Sequence, residues 1–171
     1  MPRRPSVVSG AREHYGMKTQ RPTIDTILRQ FFDESVANKT GLARSRIELV
    51  EHRLRECLEA EAERILVSGD LDILAAERQF TPQGAVARTM HADDLIFVLV
   101  LFVRDPWLPD DLVQRATQLR LSEYLTAKLL TLRLVNREQQ MCQLIDIRVG
   151  IDNEKAEVRR IRRVARGMTS T

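Results

Sequence analysis

Along this chain of 171 residues, apolar side chains recur mostly every three or four positions, the spacing that lays them on one face of an α-helix. A first helix opens near Thr23, with Asp25 in the turn where the helix dipole favours negative charge. Ile24, Ile27, Leu28, Phe31, Phe32 and Val36 form its stripe, and Asn38 to Gly41 end it. The pair Ser45 and Glu48 has capping-box spacing, which predicts a second helix running to about Val67 with Ile47, Val50, Leu54, Leu58, Ala62 and Ile65 inward. Gly69 and Asp70 break the chain before a short third helix ending near Phe80, and Thr81-Pro82 starts another turn through Met90. Leu95 to Val103 is continuously apolar. It predicts a central buried helix, with a strand as the alternative because Val98, Val100 and Val103 are β-branched.

Two prolines make Arg104 to Pro109 a rigid connector, from which Trp107 plugs the core. Asp110 to Val135 then reads as two short amphipathic helices joined by a tight corner at Arg120 or a neighbour. Leu112, Ala116 and Leu119 face inward on the first; Leu121, Leu125, Leu129 and Leu132 do so on the second. Asn136 to Val149 fits two periods. Met141, Leu144, Ile145 and Val149 suit a helix, while alternation at Ile145, Ile147 and Val149 suits a small β wing near residues 143–149. Gly150 to Asn153 reads as a turn, and a last helix runs from about Glu154 to Ala165. The expected fold is mainly α, a multi-helix bundle, with a basic arm over residues 1–22 expected to be disordered, one helical domain over 23–166 and a tail over 167–171. Core helices occupy 23–103 of that domain, and the paired helices and basic part occupy 110–166.

Net charge is only +3, but it is unevenly spread. Residues 1–22 carry a net +4, residues 23–109 carry −5, and residues 110–171 carry +4. Basic ends around an acidic middle point to an anionic partner for the ends; solvated tails give the same arithmetic. The two cysteines, Cys57 and Cys142, have no metal-type spacing and read as buried thiols in a reducing compartment. Behind Met1-Pro2-Arg3-Arg4-Pro5 there is no apolar run of the secretory kind, and the longest apolar stretch is less than half a bilayer span. A cytoplasmic protein without membrane contact is therefore expected.

The segments TIDTILRQFFDES and GLARSRIELVEHRLRECLEAE, with apolar positions Val50, Leu54, Cys57 and Leu58, resemble the start of the core-binding domain of tyrosine recombinases and phage integrases over residues 23–67. The resemblance departs at Val50 and Cys57, where that family usually carries aromatics. GAVARTMHADD offers no counterpart to the family's later helix. It implies DNA binding without recombination: His91-Ala92-Asp93-Asp94 lacks the arginine of the family's catalytic motif, and Tyr15 and Tyr124 are the only tyrosines.

Residues 110–137 resemble a helix-turn-helix, with Ala116 as the small residue at the helix contact and Ser122 placed to cap the second helix. In that arrangement the second helix enters a duplex groove, which nominates Arg120, Glu123, Thr126, Lys128, Arg133 and Arg137 as base or phosphate contacts. The densest positive charge follows at Lys155, Arg159, Arg160, Arg162, Arg163 and Arg166, where each group placed on a phosphate adds salt-dependent affinity. His14, His52 and His91 are isolated, and no phosphate loop or nucleophile elbow is present. The expectation is a non-enzymatic DNA-binding protein with no cofactor, metal or small-molecule substrate, able to form a homodimer. A transcriptional regulator or mobile-element accessory factor is the fitting setting. A helical adaptor or oligomerisation domain is the alternative.

Overall fold

The computed structural model describes residues 21–168. Of the expected arm only Arg21 and Pro22 fall within this range; of the tail, residues 167 and 168 do, and both are helical. Among the described residues there are seven helices: α1 Ile24–Val36, α2 Gly41–Ile65, α3 Ser68–Phe80, α4 Ala85–Thr89, α5 Ala92–Phe102, α6 Leu112–Thr131 and α7 Met141–Met168. Extended pairing among them is limited to one antiparallel bridge between Thr23 and His91. The chain thus folds as a mainly α multi-helix bundle, and no helix among the described residues is long and apolar enough to cross a membrane.

α5 is the centre. Leu95, Ile96, Val98, Leu99 and Phe102 are fully buried, and α1, α2, α6 and α7 all pack against it. A helix apolar on nearly every side is stable only when surrounded, and the β-branched residues that favoured a strand are accommodated because the neighbouring helices cover them. The connector after α5 is held by side chains from α2 and α6. The Trp107 carbonyl accepts from Arg53 Nη2 at 2.7 Å and Gln118 Nε2 at 3.0 Å, Trp107 Nε1 donates to Glu61 Oε1 at 3.0 Å, and Arg115 Nε donates to the Pro109 carbonyl at 2.9 Å.

Several local expectations are corrected. α2 begins one turn before the Ser45–Glu48 pair: the chain enters it through Gly41, whose φ of 54° suits a residue without Cβ, and Glu48 accepts from Arg44 at 2.7 Å instead of capping. Cys57 is buried, and burial, helped by the charge of Glu61, pushes its thiol up to about 12; Cys142, expected to be buried, is exposed.

The corner expected near Arg120 is absent. α6 runs unbroken through it, because no glycine or proline interrupts Leu112–Thr131 and both halves share one buried surface. Polar residues on that surface made the stripe look discontinuous. Gln114 donates to the Arg46 carbonyl at 3.0 Å and Gln118 to the Phe102 carbonyl at 2.8 Å, so buried amides continue the face where apolar groups stop. Ser122 is accordingly buried within the helix rather than capping one.

α7 is also continuous, so residues 143–149 take the helical alternative and not the β wing, and Gly150 to Asn153 do not turn. Gly150 is there for contact: a Cβ on it would lie 3.0 Å from Val103 Cγ2, where α7 crosses the end of α5.

Candidate nucleic-acid interface

α6 starts from Asp111, whose Oδ1 accepts from the Gln114 N–H at 2.6 Å. It ends in a Schellman closure in which the Leu134 N–H donates to the Leu129 carbonyl at 3.0 Å and the Arg133 N–H to the Leu130 carbonyl at 3.1 Å. The intervening segment returns the chain so that α7 runs antiparallel along α6. Lys155 Nζ meets Glu123 Oε2 at 2.6 Å, Arg115 Nη1 meets Glu154 Oε2 at 3.5 Å, and Arg162 Nη2 reaches the Leu112 carbonyl at 3.3 Å. Ile147, Ile151 and Val158 bury the inner face of α7.

Two hollows open along this seam. The first, about 550 Å³, is lined by Val113, Arg120, Glu123 and Tyr124 of α6 and by Lys155, Val158, Arg159 and Arg162 of α7. Its walls follow from helical spacing: residues 113, 120 and 124 lie on one face of α6, and 155, 159 and 162 on one face of α7. Four cationic groups and one carboxylate therefore converge there, leaving a local excess of positive charge. The second, about 360 Å³, is mostly apolar. Ala127 and Leu130 of α6 face Met141, Ile145 and Val149 of α7, with Arg137, Arg148 and Glu123 at its edges.

The nominated residues divide between these surfaces and structural duty. Arg120, Lys155, Arg159 and Arg162 gather at the basic hollow, and Arg160 and Arg163 continue the ridge beyond it with Arg159. Glu123 borders both hollows and pairs with Lys155. Arg160 hydrogen-bonds Glu157 at 2.6 Å and holds that carboxyl below its ordinary value. Arg166 is exposed on the last turns of α7.

Lys128 does not join them. It pairs with Glu34 of α1 and lies 5.9 Å from the centroid of Phe31, so it ties α1 to α6; its hydrogen bond and that of Gln30 hold the Glu34 carboxyl below the usual range. Thr126 Oγ1 donates to the Ser122 carbonyl at 2.8 Å and lines the apolar groove. Arg137 stands at that groove's edge, whereas Arg133 opens on a separate hollow with Arg21, His91 and Asn136.

Sequence reasoning missed Tyr124. It lies one helical turn beyond Arg120 and is 57% exposed, at the same hollow as Arg159 and Arg162. The signal was its spacing from Arg120 along an unbroken helix, which the assumed corner erased.

The chemistry of the basic hollow is that of donors: guanidinium forks and an ammonium suited to phosphate oxygens. No protein-family model, curated protein or solved structure gives a significant match to this chain.

Proposed function

We propose that this chain is a non-enzymatic DNA-binding protein that holds a phosphate backbone along the α6–α7 seam. The observation that carries the reading is the convergence of Arg120, Lys155, Arg159 and Arg162 on one hollow, with Arg160 and Arg163 extending the same charge. Four cations drawn together against a single carboxylate repel one another, and a polyanion relieves that repulsion while releasing its own counterions. Regulation of transcription or assistance to a mobile element are the settings this reading suggests. The mode differs from groove reading by a helix-turn-helix: phosphate contacts give affinity and position, with little sequence information.

The test is titration into labelled DNA at several salt concentrations. Log K should fall linearly with log salt, and the combined Arg120→Ala, Arg159→Ala and Arg162→Ala variant should show a shallower slope by about 0.7–0.9 for each lost phosphate contact. Absence of binding at low salt overturns the proposal.

A second reading, an oligomerisation domain, has its own observation. Met141, Ile145 and Val149 stand 42%, 53% and 48% exposed beside the hollow at Ala127 and Leu130. These open apolar side chains line the hollow itself, and the occupant that this reading assigns to it is a second copy of the chain, packed about a two-fold axis. Sedimentation of the wild type against Ile145→Glu decides it; a monomer at all concentrations removes this reading.

A further inference from the structure

We infer that the nucleic acid held at the α6–α7 hollow is single-stranded, with an unpaired base stacked on the ring of Tyr124. This rests on the proposed DNA-binding function and specifies its ligand. Tyr124 is the informative residue because it brings an open aromatic face into the cationic hollow. Among the described aromatics, Phe31 packs edge-on against Phe32 at 5.1 Å, Phe102 is fully buried and the half-buried Trp107 sets its indole N–H on Glu61; Phe80 is 84% exposed but does not line the basic hollow, where Tyr124 is the one aromatic. Tyr124 keeps more than half of its surface open and its hydroxyl makes no hydrogen bond among the described residues. It lies between a cation on its own helix, Arg120, and the cations of the facing helix, Lys155, Arg159 and Arg162.

An aromatic face set among guanidiniums suits a strand whose bases are free. In a duplex both faces of every base are covered by its neighbours, so a phenol on a helix surface can meet base edges or the sugar-phosphate exterior but no stacking face. In a single strand each base offers an open π-face, and stacking on an aromatic side chain adds affinity with little regard to sequence, while basic groups track the backbone. The dimensions agree. Packed helices lie roughly 8–10 Å apart, and a hollow of about 550 Å³ between them has room for a nucleotide or two, not for a double helix.

Full-length protein is titrated with a labelled oligothymidylate and with a duplex of equal length, at matched salt. The single strand should bind more tightly. Tyr124→Ala should weaken single-strand binding about 5- to 150-fold with an unchanged salt slope, because the ring contacts no phosphate; Tyr124→Phe should retain affinity, because it keeps the stacking face. Circular dichroism confirms that each variant folds. If Tyr124→Ala binds the single strand as well as the wild type while Arg159→Ala with Arg162→Ala weakens it, this inference is overturned and DNA binding stands. Preference for the duplex overturns it likewise. If neither oligonucleotide binds at low salt, both the inference and the proposed function fail, and binding of a polyglutamate peptide in their place would assign the hollow to acidic protein segments.

Discussion

Lys155 of α7 donates to Glu123 of α6 at 2.6 Å on the ridge between the apolar and the basic hollows. The pair is about one-third exposed on each side, so it contributes only about 0.2–1 kcal/mol to the fold. Its larger effect is on the hollow, where Glu123 occupies one cation and adds the only negative charge among the lining residues. Glu123→Gln should therefore leave the melting temperature almost unchanged and tighten DNA binding about two- to tenfold at low salt. The salt slope should steepen by about 0.7, the value for one added phosphate contact on a single strand. Weaker binding, or a slope that stays the same, would show that Lys155 does not serve the ligand.

Arg133 tests how far the positive charge of this region is functional. It has a φ of 53° at the left-handed position of the Schellman closure, where a Cβ costs about 1–2 kcal/mol. Arg133→Gly removes that strain but adds freedom to the unfolded chain, worth about 0.5–1 kcal/mol. The expected net is a stabilisation of about 0.5–1 kcal/mol, read from denaturant midpoints. DNA affinity should not change, because Arg133 opens on the hollow shared with Arg21 and His91 and not on the α6–α7 seam. A loss of affinity in a stabilised Arg133→Gly protein would return this residue to the binding surface.

Asp94 gives the fold a pH dependence of unusual sign. It lies in the first turn of α5 and accepts from the His91 N–H at 3.0 Å. Burial raises its pKa from the ordinary 3.8, with Asp70 and Asp93 adding repulsion, and these outweigh the lowering by the His91 hydrogen bond. A raised carboxyl binds its proton more tightly in the folded state. Its contribution to stability is thus fully present below pH 3.8 and is lost as pH rises through the folded value. Asp94→Asn keeps an acceptor for His91 without the charge. The variant should equal or exceed the wild type in stability at neutral pH, and its advantage should shrink on acidification. Denaturant titrations across that range check it; an advantage that grows toward acid pH contradicts the assignment.

The parts of this fold that sequence periodicity reveals are those whose core face is purely apolar. α1, with Ile24, Ile27, Leu28, Phe31 and Phe32 inward, begins where predicted, with Thr23 as its cap, and the run at Leu95 is the central helix its composition implies. Periodicity fails where distant backbone supplies the partner. Gln114 and Gln118 are core residues only because the carbonyls of Arg46 and Phe102 lie opposite them, and without them α6 looks like two helices. Lys128 had the composition of a DNA contact, but Glu34, 94 residues away, takes its charge. The basic cluster on α7 was legible as charge density. Its facing row, Arg120 and Tyr124, emerges only once α6 is continuous and α7 lies antiparallel to it.

Gly150 is the clearest case of a residue whose local meaning misleads, and its substitution has opposite expected effects under the two readings. In an isolated helix Gly→Ala is favourable by about 1 kcal/mol. At this crossing the new methyl would sit 3.0 Å from Val103 Cγ2 and 3.8 Å from the Val103 carbonyl oxygen. Val103 is fully buried at the end of α5, so it cannot move aside without disturbing the core, and overpacking of this kind costs about 1–3 kcal/mol. The contact should win: Gly150→Ala is expected to lower stability by up to about 2 kcal/mol despite its better helix propensity. A double-mutant cycle isolates the cause. Val103→Ala alone leaves a cavity and destabilises, but it also vacates the space the new methyl needs, so Gly150→Ala should be neutral or stabilising in that background. The two changes should couple by about 0.5 kcal/mol or more, with the double variant more stable than the sum of the singles predicts. Strict additivity, or a Gly150→Ala protein more stable than wild type, would mean that α7 does not approach α5 this closely. The seam that aligns Arg159 and Arg162 with Arg120 and Tyr124 would then need a different packing of α7.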